Sequence, residues 1–168
     1  MNRFSTLDFV ILSQQKYFIM KKLALLLLLS IATYAQETKP TYDEKLAKEL
    51  GADERGMKMY VFCILKTGTN TTATKEEKAK YFEGHMANIS RLAKEGKLVV
   101  AGPFEKNDRN YRGIFIFNVT TVEEANALVE TDPAVKAKIF EAEMTPLYCT
   151  AALMAIPETH KKISKSKK

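Results

Sequence analysis

The ten residues MKMYVFCILK, Met57 to Lys66, decide the fold. They are rich in β-branched and aromatic types and read as a strand. Side chains of a strand alternate between its two faces, so Met59, Val61, Cys63 and Leu65 point one way and Tyr60, Phe62 and Ile64 the other. Both faces are apolar. Each face of the sheet that holds this strand needs a cover, because an uncovered apolar face is a patch large enough to imply a partner.

Working outward, Thr74 with Glu77 three residues on forms a capping box, in which each side chain satisfies an orphan backbone N–H of a starting helix. That helix runs to Gly96, whose lack of a Cβ suits a left-handed stop. Lys97–Ala101 and Gly113–Val119 are predicted strands joined by the polar loop Gly102–Arg112. Thr121 and Glu124 open a second helix, Asp132-Pro133 restarts it, and Met144–Ile156 contains a final strand. The order βαββαβ predicts an α+β domain with a ferredoxin-like antiparallel sheet. Two helices cover one face only. The third strand repeats the problem, with Ile114 and Ile116 opposite Phe115 and Phe117, so the uncovered face is expected to pack against that of a second copy in a homodimer. Cys63 and Cys149, on the first and last strands, are expected to be cross-strand neighbours, as a disulfide or as two buried thiols.

A chain of 168 residues has room for one core of ordinary size. Met20, Lys21 and Lys22 lead into the apolar run Leu23–Ile31, then Ala32-Thr33-Tyr34-Ala35, the pattern of a secretory signal peptide cut at Gln36. The run is shorter than the roughly 20 residues a membrane-spanning helix needs. Residues 1–35 are therefore read as a signal peptide preceded by an upstream extension, Met1–Ile19. Export is expected, to the periplasm or the medium, with no stable membrane insertion after cleavage. Residues 36–56, with weak helical potential around Tyr42–Leu50, read as a linker, 57–158 as the folded domain, and 159–168 as a basic flexible tail. The formal charge of +6 resides at the ends. Residues 1–35 hold four basic groups and one acid, the last eight residues hold five lysines, and 36–160 hold 17 basic against 19 acidic groups, a net of −2. A phosphate-binding groove is not expected, and with it no nucleic-acid partner. Two cysteines and the separated His85 and His160 exclude the usual local metal-ligand patterns. There is no glycine-rich phosphate loop and no serine nucleophile elbow, so chemistry without metal or cofactor is the expected class.

His85, Glu95-Gly96-Lys97-Leu98, Gly102-Pro103, Gly113, Glu123-Glu124-Ala125 and Asp132-Pro133 stand in an order that resembles the YCII-related family, over about Met57 to Ala155. The resemblance implies a dimeric α+β barrel and a site built on a histidine and an aspartate, which fall on His85 and Asp132. It also implies lyase-like activity, including loss of hydrogen chloride from a chlorinated ring compound. Members are usually small soluble proteins, so the signal peptide departs from the pattern.

Phe82, His85, Ile89 and Leu92 fall at helical spacing, which puts His85 on the stripe that packs on the sheet. An imidazole there needs a partner, and Asp132 can supply one while capping the helix that Pro133 opens. A carboxylate on one ring nitrogen fixes the tautomer and leaves the other nitrogen for proton transfer near neutral pH. A histidine held only for structure satisfies the same pattern. Gly102 and Pro103 bring backbone close to a ligand or form a plain turn. Arg109 and Arg112 serve an anionic substrate or stand in solvent, and Tyr148 lines a pocket or fills the core. Two readings follow: a cofactor-independent enzyme of lyase or isomerase type acting on an unidentified small molecule, and a non-catalytic small-ligand-binding or stress-related module of the cell envelope.

Overall fold

The computed structural model of the protein describes residues 14–23 and 41–165. The chain divides into two compact units, Met1–Tyr42 and Asp43–Lys168. In the first, residues 14–23 form the helix α1, exposed throughout, with the Lys21 and Lys22 ammonium groups 4.5 and 4.6 Å from the Tyr17 and Phe18 ring centres. The apolar run from Ala24 onward, the expected cleavage point at Gln36, residues 1–13 and the last three lysine-rich residues lie outside the described residues. Among those described, no helix is long and apolar enough to cross a membrane.

The second unit contains α2 (Glu44–Leu50), β1 (Met57–Thr67), α3 (Lys75–Lys94), β2 (Leu98–Pro103), β3 (Tyr111–Phe117), α4 (Val122–Val129), α5 (Pro133–Lys136) and β4 (Phe140–Thr150). A 3-10 turn (Ala151–Ala155) and α6 (Ile156–Ile163) follow. The sheet order is β2-β3-β1-β4 with every neighbouring pair antiparallel, which is the ferredoxin-like α+β architecture. Local signals start the helices. At α3 the Thr74 hydroxyl accepts from Glu77 N–H (3.2 Å) and the Glu77 carboxylate accepts from Thr74 N–H (2.8 Å), a complete capping box. At α4 the Thr121 hydroxyl accepts from Glu124 N–H, but the Glu124 carboxylate reaches back to Thr120 N–H, one residue further than the box pattern predicts. Gly96 has φ of 69°, the left-handed stop.

The two faces of the sheet differ. Val61, Cys63 and Leu65 of β1 and Phe115 and Phe117 of β3 are buried in one cluster with Leu92, Ala125, Val129 and Ala134 from the helices. Phe62, Ile64, Ile114 and Ile116, on the opposite face, are only half-buried. Tyr60 shares their parity yet is wholly buried, and its hydroxyl donates to the Thr150 carbonyl (3.3 Å). The 3-10 turn, which contacts both β1 and β2, closes this end of the outer face.

Four sequence expectations change. The stretch read as a linker holds α2, with the Asp43 side chain accepting from Leu46 N–H (2.9 Å) and Gly51 at φ of 70° beyond its end. Residues 159–163, read as flexible tail, belong to α6. The final strand starts at Phe140 rather than Met144 and ends at Thr150; it tolerates Pro146 because β4 is an edge strand, where a missing N–H breaks no ladder. Cys63 and Cys149 are not neighbours. Cys63 lies opposite Met144 and Cys149 opposite Lys58, five positions along β1 and on the other face, and both thiols are free.

Candidate active site

The site forms where α3 crosses the sheet close to α5. Gly84 makes the approach possible: a Cβ at that position would stand 2.7 Å from Pro133 Cγ. His85, the next residue, then meets Asp132, with Nδ1 2.6 Å from Oδ2. Asp132 is completely buried and its other oxygen, Oδ1, accepts from Ala134 N–H (2.9 Å), so one carboxylate both caps α5 and holds the imidazole. One turn further on, the Asn88 Oδ1 accepts from the Thr131 hydroxyl (2.9 Å) and from the Arg91 guanidinium (2.8 Å), and Arg91 also donates to Thr131 Oγ1 (2.9 Å). Two successive turns of α3 therefore grip residues 131–133. Neither Gly84 nor Asn88 stood out in the sequence. The signal was their spacing: 84, 85, 88 and 91 mark one face of a helix.

Three phenyl rings box the imidazole: Phe140 edge-on at 5.2 Å, Phe82 tilted at 5.6 Å and Phe115 stacked at 5.9 Å between ring centres. Phe82 is on the expected stripe but is 54% exposed, because it stands at the mouth of the site instead of under the helix. With Nδ1–H donated to the carboxylate, Nε2 carries the free lone pair. Nε2 has no hydrogen-bond partner, yet among the described residues no fully buried side-chain nitrogen or oxygen lacks one, so this atom reaches open space. That space is a cavity of about 250 Å³ lined by His85, Gly102, Pro103, Arg112 and Gly113 together with apolar side chains. It exists because the strand positions beneath α3 are small. Pro103 pairs with Gly113 and Ala101 with Phe115 on the helix-facing side, and at position 113 only glycine fits, since a Cβ there would stand 2.8 Å from the Gly102 carbonyl oxygen.

Of the residues expected at a site, His85, Asp132, Gly102, Pro103 and Arg112 come together. Tyr148 does not. It lies opposite Met59, six residues down β1 from the cavity-lining Leu65, roughly 20 Å at strand rise. Its hydroxyl donates to the Asp53 carboxylate, which also accepts from the N–H groups of Arg55 and Met57 in the turn before β1. Arg109 is exposed in the β2–β3 loop and is not on the cavity wall. Among the described residues no group of three His, Cys, Asp or Glu is placed to hold a metal ion.

The family model of the YCII-related domain matches residues 59–145, just over half of the chain. The chain belongs to the YCII-related family. Within the YCII-related domain lie β1 from Met59, α3, β2, β3, α4, α5 and the first half of β4, and so both His85 and Asp132. Outside it lie α2, the 3-10 turn and α6. A solved structure similar to this YCII-related chain is that of 5-chloro-2-hydroxyhydroquinone dehydrochlorinase from Burkholderia phenoliruptrix AC1100, in complex with 2,5-dihydroxybenzoquinone. Identity is 22%, the match covers 52% of this chain and 90% of that one, and the TM-score is 0.36. No curated protein matches the chain.

Proposed function

We propose that this YCII-related domain is a cofactor-independent small-molecule enzyme of lyase or isomerase type, with His85 as general acid/base and Asp132 as the residue that orients it. One observation carries this reading: a buried imidazole tied by Nδ1 to a buried carboxylate, with Nε2 left free on an apolar cavity. A ring held only for structure has no need of a free nitrogen facing open space. In the forward step Nε2 takes a proton from a carbon next to an electron-withdrawing group. The electron pair forms a double bond as a leaving group departs from the adjacent atom with its bonding pair, or is reprotonated elsewhere for an isomerisation. Asp132 stabilises the imidazolium that forms. Arg112, at the cavity wall, meets negative charge that develops on the substrate, and the Gly102-Pro103 backbone fixes its outer edge. The reading includes export of the mature chain from near Gln36 and a homodimer through the outer sheet face.

The test starts with mass spectrometry of small molecules that copurify with the native protein, followed by binding and turnover of what is found. His85→Gln and Asp132→Asn should both stay folded, and turnover should drop by about 10²–10⁴-fold, the usual share of a general acid/base. Ligand binding without turnover in the wild type, undiminished in His85→Gln, would instead favour the non-catalytic ligand-binding module of the envelope.

A further inference from the structure

A second cavity, of about 480 Å³, lies beside the first along the seam between α3 and β2. Ile89 and Ala101 line both cavities, so the two are neighbours that share this pair as a wall. The far wall comes from Ile156, Pro157 and His160 of α6, a helix outside the residues the family model matches. The floor is β2, whose outer edge pairs with no other strand. Charge on this wall is unbalanced. Lys94 has no ion-pair partner among the described residues, Lys161 is held by Glu158, and the His160 ring meets the Ser164 hydroxyl. Glu158 is thus already committed, and the one uncommitted ionic charge at this cavity is the Lys94 cation.

From these features we infer that the two cavities form one extended site for an elongated amphipathic acid, with its reacting end at His85, an apolar middle passing the shared Ile89–Ala101 wall, and an anionic terminus at Lys94. The inference rests on the small-molecule reading of the His85 cavity and deepens it. His85 and Lys94 are nine residues apart on α3, an axial rise of about 13 Å at 1.5 Å per residue and roughly two and a half turns, so the chain of the ligand must follow the seam around the helix to reach the Lys94 side chain that lines the second cavity. An apolar middle fits because the shared wall offers only aliphatic side chains. A carboxylate or similar acid at the end gives the exposed ammonium of Lys94 a partner and leaves a polar group in water at the open rim of the seam. The part of the wall that α6 supplies lies outside the residues the family model matches.

Binding of ω-phenylalkanoates from phenylacetate to 10-phenyldecanoate, with the corresponding alcohols as uncharged controls, tests the idea on the intact protein. Calorimetry reads the affinity, and the His85 side-chain NMR signals read occupancy of the first cavity. The long acids should bind at least tenfold tighter than phenylacetate and than their own alcohols. Lys94→Glu should remove that tenfold from the long acids and leave phenylacetate unchanged, and Ala93→Trp, at a position that lines the second cavity alone, should block the long acids while short ring compounds still shift His85. Short ligands that shift His85 with no gain from length or charge would overturn the extended site and leave the small-molecule reading standing. No response of His85 to any of the probes would count against both.

Discussion

Asp53 and Tyr148 form a polar contact whose meaning is set by titration. The hydrogen bond from the Tyr148 hydroxyl, with those from the Met57 and Arg55 N–H groups, holds the Asp53 carboxyl below its ordinary value, and the same bond raises Tyr148 above its own. The lowered acid contributes stability above its unfolded pKa, near 4, and loses it as pH falls through the folded value. The raised phenol contributes below its unfolded pKa, near 10, and loses it as pH climbs through the folded value. Tyr148→Phe should therefore cost most stability between about pH 5 and 9, with the gap to wild type closing on both sides. Urea titrations across that range test this, and a gap that does not vary with pH would count against the contact. Cys63 is a second case. Burial pushes its thiol up to about 12, so at pH 8 only on the order of one in ten thousand molecules carries the thiolate. Half-buried Cys149 should be alkylated first in the native protein, and two thiols should be counted after denaturation without reductant. A missing thiol would mean a bridge that the strand register forbids.

At the scale of elements, the grip of α3 on residues 131–133 is the feature most open to a single change. Gly84→Ala should gain about 1 kcal/mol in helix propensity. The new methyl meets Pro133 Cγ at 2.7 Å, and overpacking of this kind costs about 1–3 kcal/mol. The second effect should win, leaving a net loss of about 1 kcal/mol in chemical denaturation together with a shifted His85 NMR signal, because α5 carries Asp132 away as it yields. A more stable variant with unchanged His85 signals would show that Pro133 moves without the dyad. Elements with strong local signals were legible in the sequence: the Thr74–Glu77 box, Gly96 and the period-2 run of β1 each act within a few residues. α2 and α6 were not. Neither helix buries any residue fully, and helices of seven or eight residues depend on what they pack against, here the 3-10 turn that α2 and α6 both touch. The start of β4 was missed because Glu141 and Glu143 read as polar, although Ala142 and Met144 alternate with them as an edge strand requires. For the site, the pairing of His85 with Asp132 could be named in advance through the family pattern. Tyr148 could not be excluded, since only strand register puts it at the far end of β1.

For the molecule as a whole, the unsolved problem is the outer face of the sheet. The helices bury the inner face, and the 3-10 turn covers the end at Tyr60, but Phe62, Ile64, Val100, Ile114 and Ile116 form an apolar field that no element of the described chain covers fully. At the opposite end this field is bounded by charge: the Lys66 ammonium meets the Glu143 carboxylate and lies 5.8 Å from the Tyr111 ring centre. An apolar centre with a charged rim is the anatomy of a specific interface. Each large aliphatic or aromatic side chain removed from water contributes about 1.5–3 kcal/mol, and the two-fold axis of a homodimer doubles the set, enough to offset the several kcal/mol lost on association. The proposed dimer therefore predicts a species of twice the chain mass in light scattering at micromolar concentration. Ile116→Lys, in the middle of the field, should give a folded monomer: the lysine head can leave the inner core untouched because position 116 faces away from Phe115 and Phe117, yet it brings two like charges together across the axis. Circular dichroism separates loss of association from loss of fold. A wild-type chain that stays monomeric, or a lysine variant that still dimerises, would mean that this face is left to water or that the copies meet elsewhere.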